Sequence, residues 1–140
     1  MMYIIVPHPD DNTSRKTKNA QMITIGLNKD SADYAVRDAL RVLDGGGIIA
    51  YPTETFYGLG VKFDMAESLK RLYELKRRPG EKAMPVIIGG RSRLGDLVQQ
   101  GWLEKIPEAA ECLIERFWPG PLTLLLPARE GLSEFLTAGT

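Results

Sequence analysis

The sequence has very few of the side chains that form covalent cross-links or metal centres. A single cysteine, Cys112, excludes an internal disulfide and a cysteine-rich zinc site within these 140 residues. A single histidine, His8, argues against a histidine-based metal site or a serine–histidine triad. No apolar run approaches the ~18 residues of a membrane-spanning helix, and the first residues lack the basic-then-apolar order of a signal peptide. We therefore expect a cytoplasmic protein with no membrane partner.

The sequence also lacks an excess of charge of either sign. It has 18 lysines and arginines against 18 aspartates and glutamates, so the formal net charge is zero. The overall charge therefore indicates neither a polyanionic partner nor its absence. With 44% apolar and 26% charged residues, the composition is that of a globular domain large enough to bury a core.

Two parts of the chain differ in pattern. Residues 1–28 contain short β-prone runs at 2–6 and 22–25, separated by a polar, turn-rich stretch at 7–20. We expect this part to consist of short strands and a polar leader, with the domain itself spanning 29–140.

Within 29–140, apolar residues recur at spacings of three and four, which predicts helices. Asp30 or Ser31 would cap a first helix, whose inward face we expect to contain Ala32, Val36, Ala39, Leu40 and Leu43. Asp64 would cap a second helix, with Met65, Leu69, Leu72 and Tyr73 as its core stripe. Further helices are expected within 93–100 and 107–117, and strands at 48–51, 84–88 and 122–126. This alternation predicts an α/β fold with a partly parallel sheet.

The most informative segment is YPTETFYGLG at 51–60, which interrupts an apolar strand with a proline. Thr53 and Thr55 are two residues apart, so an extended backbone would send both hydroxyls to the same side. Gly58 and Gly60 would let backbone amides come close to a bound polar group. The segment is typical of a cradle for a polar ligand.

A second candidate segment is strongly basic. Residues 62–93 contain nine basic and four acidic side chains, a local charge of 9 − 4 = +5. Lysine and arginine near a helix C-terminus are favoured by the helix dipole, which is the simpler explanation for Lys70 and Arg77. Lys76, Arg78 and Lys82 flank a Pro-Gly turn that precedes an apolar strand, and three cations there suit a di- or triphosphate.

Other nucleotide motifs are absent or incomplete. No GxxxxGK[ST] loop is present, and Gly58-x-Gly60 is only part of a dinucleotide fingerprint. The triple glycine at 45–47 precedes a strand rather than a helix, so it is better explained as a helix stop, with Gly45 or Gly46 in a left-handed cap.

Three segments together resemble the YrdC-like family of threonylcarbamoyl-AMP synthases. They are GGGIIAYPTETFYGLG at 45–60, LYELKRRPGEKAMPVII at 72–88 and FWPGPLTLLLP at 117–127. The resemblance implies a twisted, open, mixed α/β sheet with flanking helices. It also implies that ATP, L-threonine and bicarbonate are converted to threonylcarbamoyl-adenylate and pyrophosphate for a tRNA modification, with tRNA or tRNA-modification proteins as partners.

The same resemblance implies roles for individual residues. Thr53 and Thr55 would hold the threonine substrate, with Thr55 in direct contact. Lys76 and Arg78 match the family's Lys-x-Arg pair at the nucleotide and would be the catalytic residues, and Lys82 matches a further nucleotide contact. Mg²⁺ would arrive with ATP, held mainly by phosphates and water, so no protein metal site is expected.

The family domain continues beyond a segment such as FLTAG at 135–139, with a Val-Arg-x-Pro strand and a Ser-Ala-Asn turn, whereas this sequence stops at Thr140. We therefore expect a truncated domain with weak or absent synthase activity unless another chain supplies those motifs. Exposed sheet edges would favour self-association. Two alternatives stay open: a non-catalytic module that binds RNA or nucleotides, and a related domain that transfers a carbamoyl group from carbamoyl phosphate.

Overall fold

The computed structural model describes residues 2–6, 21–26, 31–53, 56–77, 79 and 82–138. The chain divides into two compact units, Met1–Arg78 and Pro79–Thr140. The first unit contains the sheet, two helices and the YPTET segment. The second contains the remaining helices around a separate apolar cluster.

The first unit is built on a four-stranded sheet with the order β2–β1–β3–β4. Its strands are β1 (Met2–Val6), β2 (Gln21–Ile25), β3 (Ile48–Pro52) and β4 (Tyr57–Gly60). All three pairings are antiparallel, and the register places Ile4 opposite both Ile23 and Ile49. β1 and β2, which we assigned to a part preceding the domain, therefore belong to the same sheet as β3.

An α/β fold with an open sheet and flanking helices is confirmed. The expected parallel pairs do not occur among the described strands. β3 and β4 are joined by only four residues, and such a short connection allows only antiparallel pairing, since a parallel pair needs a crossover of a dozen or more residues.

The helix α1 (Ala32–Asp44) packs against this sheet through small residues. Ala35, Ala39 and Val42 are buried, and Ile25, Ile49 and Tyr51 pack against them. Of the inward face that we expected, only Ala39 is buried; Val36 and Leu40 are 55% and 52% exposed. The expected face was therefore wrong by about a quarter of a turn. Gly46, with a φ of 74°, provides the left-handed conformation expected after the helix.

The helix α2 (Ala66–Lys76) buries the stripe that its spacing predicts. Leu69, Leu72 and Tyr73 are all at most 5% exposed. Its cap, however, is Met65 rather than Asp64, and no side chain caps its first turn. The backbone N–H of Met65 instead bonds to the Lys62 carbonyl, so a tight turn carries the chain past Asp64 before the helix begins.

The second unit contains a 3₁₀ helix at Arg91–Asp96, followed by α3 (Gln100–Glu104), α4 (Glu108–Phe117) and α5 (Glu134–Thr137). Leu94, Val98 and Ile114 form its buried centre. The expected helix at 107–117 is confirmed, while the one within 93–100 is replaced by the 3₁₀ turn.

The segments expected as strands at 84–88 and 122–126 belong to no β-ladder among the described residues. Their burial nevertheless alternates as in a strand. Leu124 and Leu126 pack on the buried centre, whereas Leu125 between them is fully exposed. The sequence therefore predicts the extended local conformation correctly but not the pairing, since pairing needs a neighbouring strand.

Candidate functional site

The turn between β3 and β4 is closed by Thr53. Its backbone N–H donates to the Phe56 carbonyl at 3.1 Å, and its hydroxyl donates to the same carbonyl. The Phe56 N–H in turn donates to the Thr53 hydroxyl at 3.2 Å. Thr53 is exposed, and Phe56 is 83% exposed beside it. The hydroxyl that we expected to face a ligand therefore also holds the turn together, and Thr55 lies outside the described residues.

The two glycines of the segment accommodate the Tyr51 ring. Tyr51 pairs with Gly58 across the hairpin, and a Cβ on Gly58 would lie 2.7 Å from the ring carbon Cζ. A Cβ on Gly60 would lie 3.0 Å from Cε1 of the same ring. Glycine at both positions leaves room for this close approach inside the protein, and the approach of a ligand to the same backbone stays a prediction.

Tyr51 is held between this glycine surface and the buried face of α1. Its partial burial raises the pKa of the phenol above the ordinary value of 10. The side chain is therefore neutral at physiological pH. A rigid aromatic ring at the end of β3 fixes the hairpin relative to α1.

A second set of contacts fixes the start of β3. The carbonyl of Gly46 accepts hydrogen bonds from the Ser68 hydroxyl at 2.9 Å and from the Arg71 guanidinium. We refer to these two bonds as the Gly46 contact. Ser68 is 3% exposed, whereas Arg71 is an exposed residue. The Gly46 contact connects the turn before β3 directly to α2.

A salt bridge lies close to the Gly46 contact. The Lys62 ammonium is 2.9 Å from a carboxylate oxygen of Asp44, the last residue of α1. This hydrogen bond and the negative charge of Asp44 raise the pKa of Lys62. The segment between β4 and α2 is thus tied to the end of α1.

Lys76 ends α2 and points its charge into solvent. It is exposed and forms no hydrogen bond or ion pair within the part of the chain that the structure describes. Arg77 follows in the left-handed conformation, with a φ of 47°, which ends the helix and redirects the chain. Arg78, the second member of the expected pair, lies outside the described residues. Lys82 is exposed and belongs to the second unit.

Several other cations of the basic stretch are engaged within the protein. Arg91 forms a bidentate ion pair with Glu111, and Arg93 lies 2.9 Å from Asp96. Together with Lys62 and Arg71, at least four of the nine basic residues therefore have internal acceptors. The local charge of +5 overstates what this stretch offers to a ligand.

Sequence reasoning missed the role of Ser68 and counted Arg71 only as a charge. A signal was present, because Ser68 falls on the stripe that also contains Leu69 and Leu72 at helical spacing. A polar residue on an apolar stripe needs a buried hydrogen-bond partner, although the stripe alone does not reveal which one.

Among the described residues, no helix is long and apolar enough to cross a membrane. In the same ranges, no three histidine, cysteine or acidic side chains are grouped so that they could hold a metal ion.

Comparison with known proteins assigns the chain to a family. The model of the Sua5/YciO/YrdC family, described as telomere recombination, matches residues 41–140. The chain belongs to this family. A threonylcarbamoyl-AMP synthase of Pyrococcus abyssi is 37% identical over 117 residues, covering 84% of the chain and 33% of that protein. The Bacillus subtilis synthase is 40% identical over 108 residues, covering 76% of the chain and 30% of that protein.

A solved structure agrees with this membership. A double-alanine variant of Pyrococcus abyssi Sua5 matches with a TM-score of 0.71 and 37% identity, over 80% of this chain and 31% of that one. A shorter synthase from Idiomarina loihiensis is 40% identical over 93 residues, which is 48% of its length. This family member thus spans about a third to a half of these relatives.

Proposed function

We propose that this chain provides the threonine- and nucleotide-binding surface of a threonylcarbamoyl-AMP synthase. The substrates are L-threonine, bicarbonate and ATP with its Mg²⁺, and the product serves a cytoplasmic tRNA modification. The observation that carries the proposal is the hairpin at 48–60, whose turn presents Thr53 in a chain of this family. The relatives named as synthases support the same activity.

The chemistry needs alignment more than covalent help from the protein. Bicarbonate takes up a proton and loses water to give carbon dioxide. The neutral threonine amine then bonds to its carbon and loses a proton, giving a carbamate, so that water is the net by-product. A carbamate oxygen then bonds to the α-phosphorus, and the bond to pyrophosphate breaks. Charge develops on the departing phosphates, so cations held beside them favour the reaction.

The exposed cations at the end of α2 suit the phosphate side of this reaction. Lys76 forms no hydrogen bond or ion pair among the described residues, so it can bind a phosphate without breaking an internal contact. We assign Lys76 and Arg78 to the phosphates as catalytic residues, with Lys82 as a further nucleotide contact. Thr53 and Thr55 are assigned to the threonine side. Mg²⁺ belongs to the ATP substrate, where phosphate oxygens and water hold it.

Lys76→Gln tests the phosphate role. We expect ATP binding to weaken about tenfold, because one charged hydrogen bond to phosphate is lost. Lys70→Gln is the matched control: Lys70 is also an exposed lysine of α2 without an ion pair among the described residues. Titration calorimetry of the full chain with MgATP, followed by an assay of pyrophosphate release, measures both effects.

Equal losses in the two variants would contradict the assignment of Lys76, since a general loss of positive charge would then explain the result. Pyrophosphate release that does not depend on threonine would contradict the substrate assignment. Competition by carbamoyl phosphate, without any effect of threonine or bicarbonate, would favour the related carbamoyl-transfer reaction.

A further inference from the structure

The Gly46 contact joins the two elements that carry the proposed substrate side and phosphate side. β3 starts just after Gly46 and leads to Thr53, while α2 starts just before Ser68 and leads to Lys76. We propose that Ser68 and Arg71 are positioning residues that hold these two elements in one fixed relation, so that threonine and ATP bind cooperatively. The inference rests on the proposed function.

Distances along the elements place this contact away from the proposed ligands. Seven residues of mostly extended chain separate Gly46 from Thr53, which corresponds to roughly 20 Å. Eight residues of helix separate Ser68 from Lys76, or about 12 Å. Ser68 and Arg71 would therefore act through β3 and α2 and not by touching the substrate.

The geometry of the contact is directional. Two donors converge on one main-chain carbonyl, and Gly46 has a φ of 74° that other residues rarely adopt. A Cβ at Gly46 would also lie 3.1 Å from the Ser68 hydroxyl oxygen. The contact therefore constrains the position of α2 relative to the turn before β3.

Loosening the contact need not unfold the protein. Leu69 and Leu72, which anchor α2 in the core, take no part in the contact, and the Arg71 side chain lies at the surface. Exposed polar side chains contribute little to global stability in most proteins. The expected consequence is a less fixed orientation of α2 relative to β3, which affects the joint use of two ligands more than the binding of either one.

Titration calorimetry of the full chain tests the proposal. ATP affinity is measured with and without saturating threonine, and the ratio is the coupling factor, commonly about 5- to 150-fold when two ligands cooperate. We expect Arg71→Met to lower this factor at least fivefold while ATP affinity without threonine changes less than threefold. Ser68→Ala should act in the same direction, and Arg71→Lys, which keeps a donor, should recover part of the factor.

Arg41→Met is the matched control, because Arg41 is an exposed helical arginine whose hydrogen bond goes to Asp38 on its own helix. It should leave the coupling factor unchanged. Thermal melting of each variant, followed by circular dichroism, distinguishes loss of coupling from loss of folding. If Arg71→Met does not fold, the coupling factor of Ser68→Ala tests the proposal instead.

Four results would overturn the inference. Arg71→Met could retain the full coupling factor, or it could weaken ATP binding equally with and without threonine, which would make Arg71 a ligand contact. The unmodified chain could also bind both ligands independently, and the proposed function would then survive while the positioning role would not. If the chain binds neither ATP nor threonine, the proposed function itself fails, and the positioning role fails with it.

Discussion

Tyr51 and Gly58 face each other across the β3–β4 hairpin, and the ring of one fills the space that a side chain on the other would occupy. Cross-strand pairs of this kind stabilise sheets because the aromatic ring covers the exposed glycine backbone. The tyrosine at 51 therefore leaves no room for a side chain at 58 unless its ring shifts. A motif that suggests ligand binding can in this way owe part of its composition to internal packing.

Gly58→Ala should lower the free energy of unfolding by about 1–3 kcal/mol, the usual cost of inserting a methyl group into a packed site. The Tyr51 ring cannot move away without leaving the α1 core against which it packs. Urea unfolding followed by circular dichroism measures the change. In a protein that already carries Tyr51→Ala, Gly58→Ala should lower the free energy of unfolding much less.

Gly101→Ala is the control for this prediction. Gly101 lies in α3 with no atom within 4 Å of an added Cβ, and alanine is the better helix former by about 1 kcal/mol. The free energy of unfolding of the Gly101→Ala protein should stay the same or rise. A Gly58→Ala protein as stable as the Gly101→Ala protein would show that the Tyr51 ring does not occupy the position described.

Thr53 illustrates how far a single residue could be predicted. Its location at the end of a strand and its exposure follow from the proline, the threonines and the glycines around it. Its hydrogen bonds to Phe56 do not, because they depend on the turn between two strands, and several turn types fit this sequence. The residue types thus predict a hairpin mouth but not which groups close it.

At the scale of elements, α1 carries two apolar stripes side by side. One consists of small residues, Ala35, Ala39 and Val42, and the other of bulkier ones that include Val36 and Leu40. The sequence favours the bulkier stripe as the core. The structure buries the smaller one because the sheet supplies the bulk, through Ile49 and Tyr51. Which stripe is buried depends on the facing layer, which the helix sequence alone does not specify.

A matched pair of substitutions distinguishes the two stripes. Val42→Ala should lower the free energy of unfolding by about 1.5–3 kcal/mol, since it removes two methyl groups from a residue that is only 7% exposed. Val36→Ala makes the same chemical change on the same helix at a residue that is 55% exposed, and it should change stability by no more than about 0.5 kcal/mol. Equal effects in urea unfolding would contradict the assigned face.

At the scale of the whole molecule, the α/β fold follows from the alternation of patterns, but the division into two units does not. Each unit has its own buried cluster, one around Ala35 and the other around Ile114. Local spacing identifies the helices that contribute to each cluster. It does not identify which residues distant in sequence share a core, and the pairing partners of 84–88 and 122–126 are unpredictable for the same reason.

The distribution of charge over the molecule also bears on RNA as an alternative ligand. The nine cations of residues 62–93 suggest a polyanion surface, but Lys62, Arg71, Arg91 and Arg93 already have acceptors within the protein. Releasing Arg91 to a phosphate would leave the Glu111 carboxylate beside the RNA, where it repels the backbone. At most five cations of the stretch (9 − 4) therefore remain for a polyanion.

This limit predicts a shallow salt dependence of RNA binding. Each phosphate neutralised on single-stranded RNA contributes about −0.7 to the slope of log affinity against log salt, so five contacts give a slope no steeper than about −3.5. The slope is measured by fluorescence anisotropy with a labelled anticodon-loop oligoribonucleotide between 50 and 200 mM salt. Phosphate contacts respond strongly to salt in this range. Lys76→Gln should make the slope less negative by about 0.7, whereas Arg91→Gln should leave the slope unchanged. A slope near −6, or a strong effect of Arg91→Gln, would contradict this limit and would mean that the internal ion pairs open to RNA.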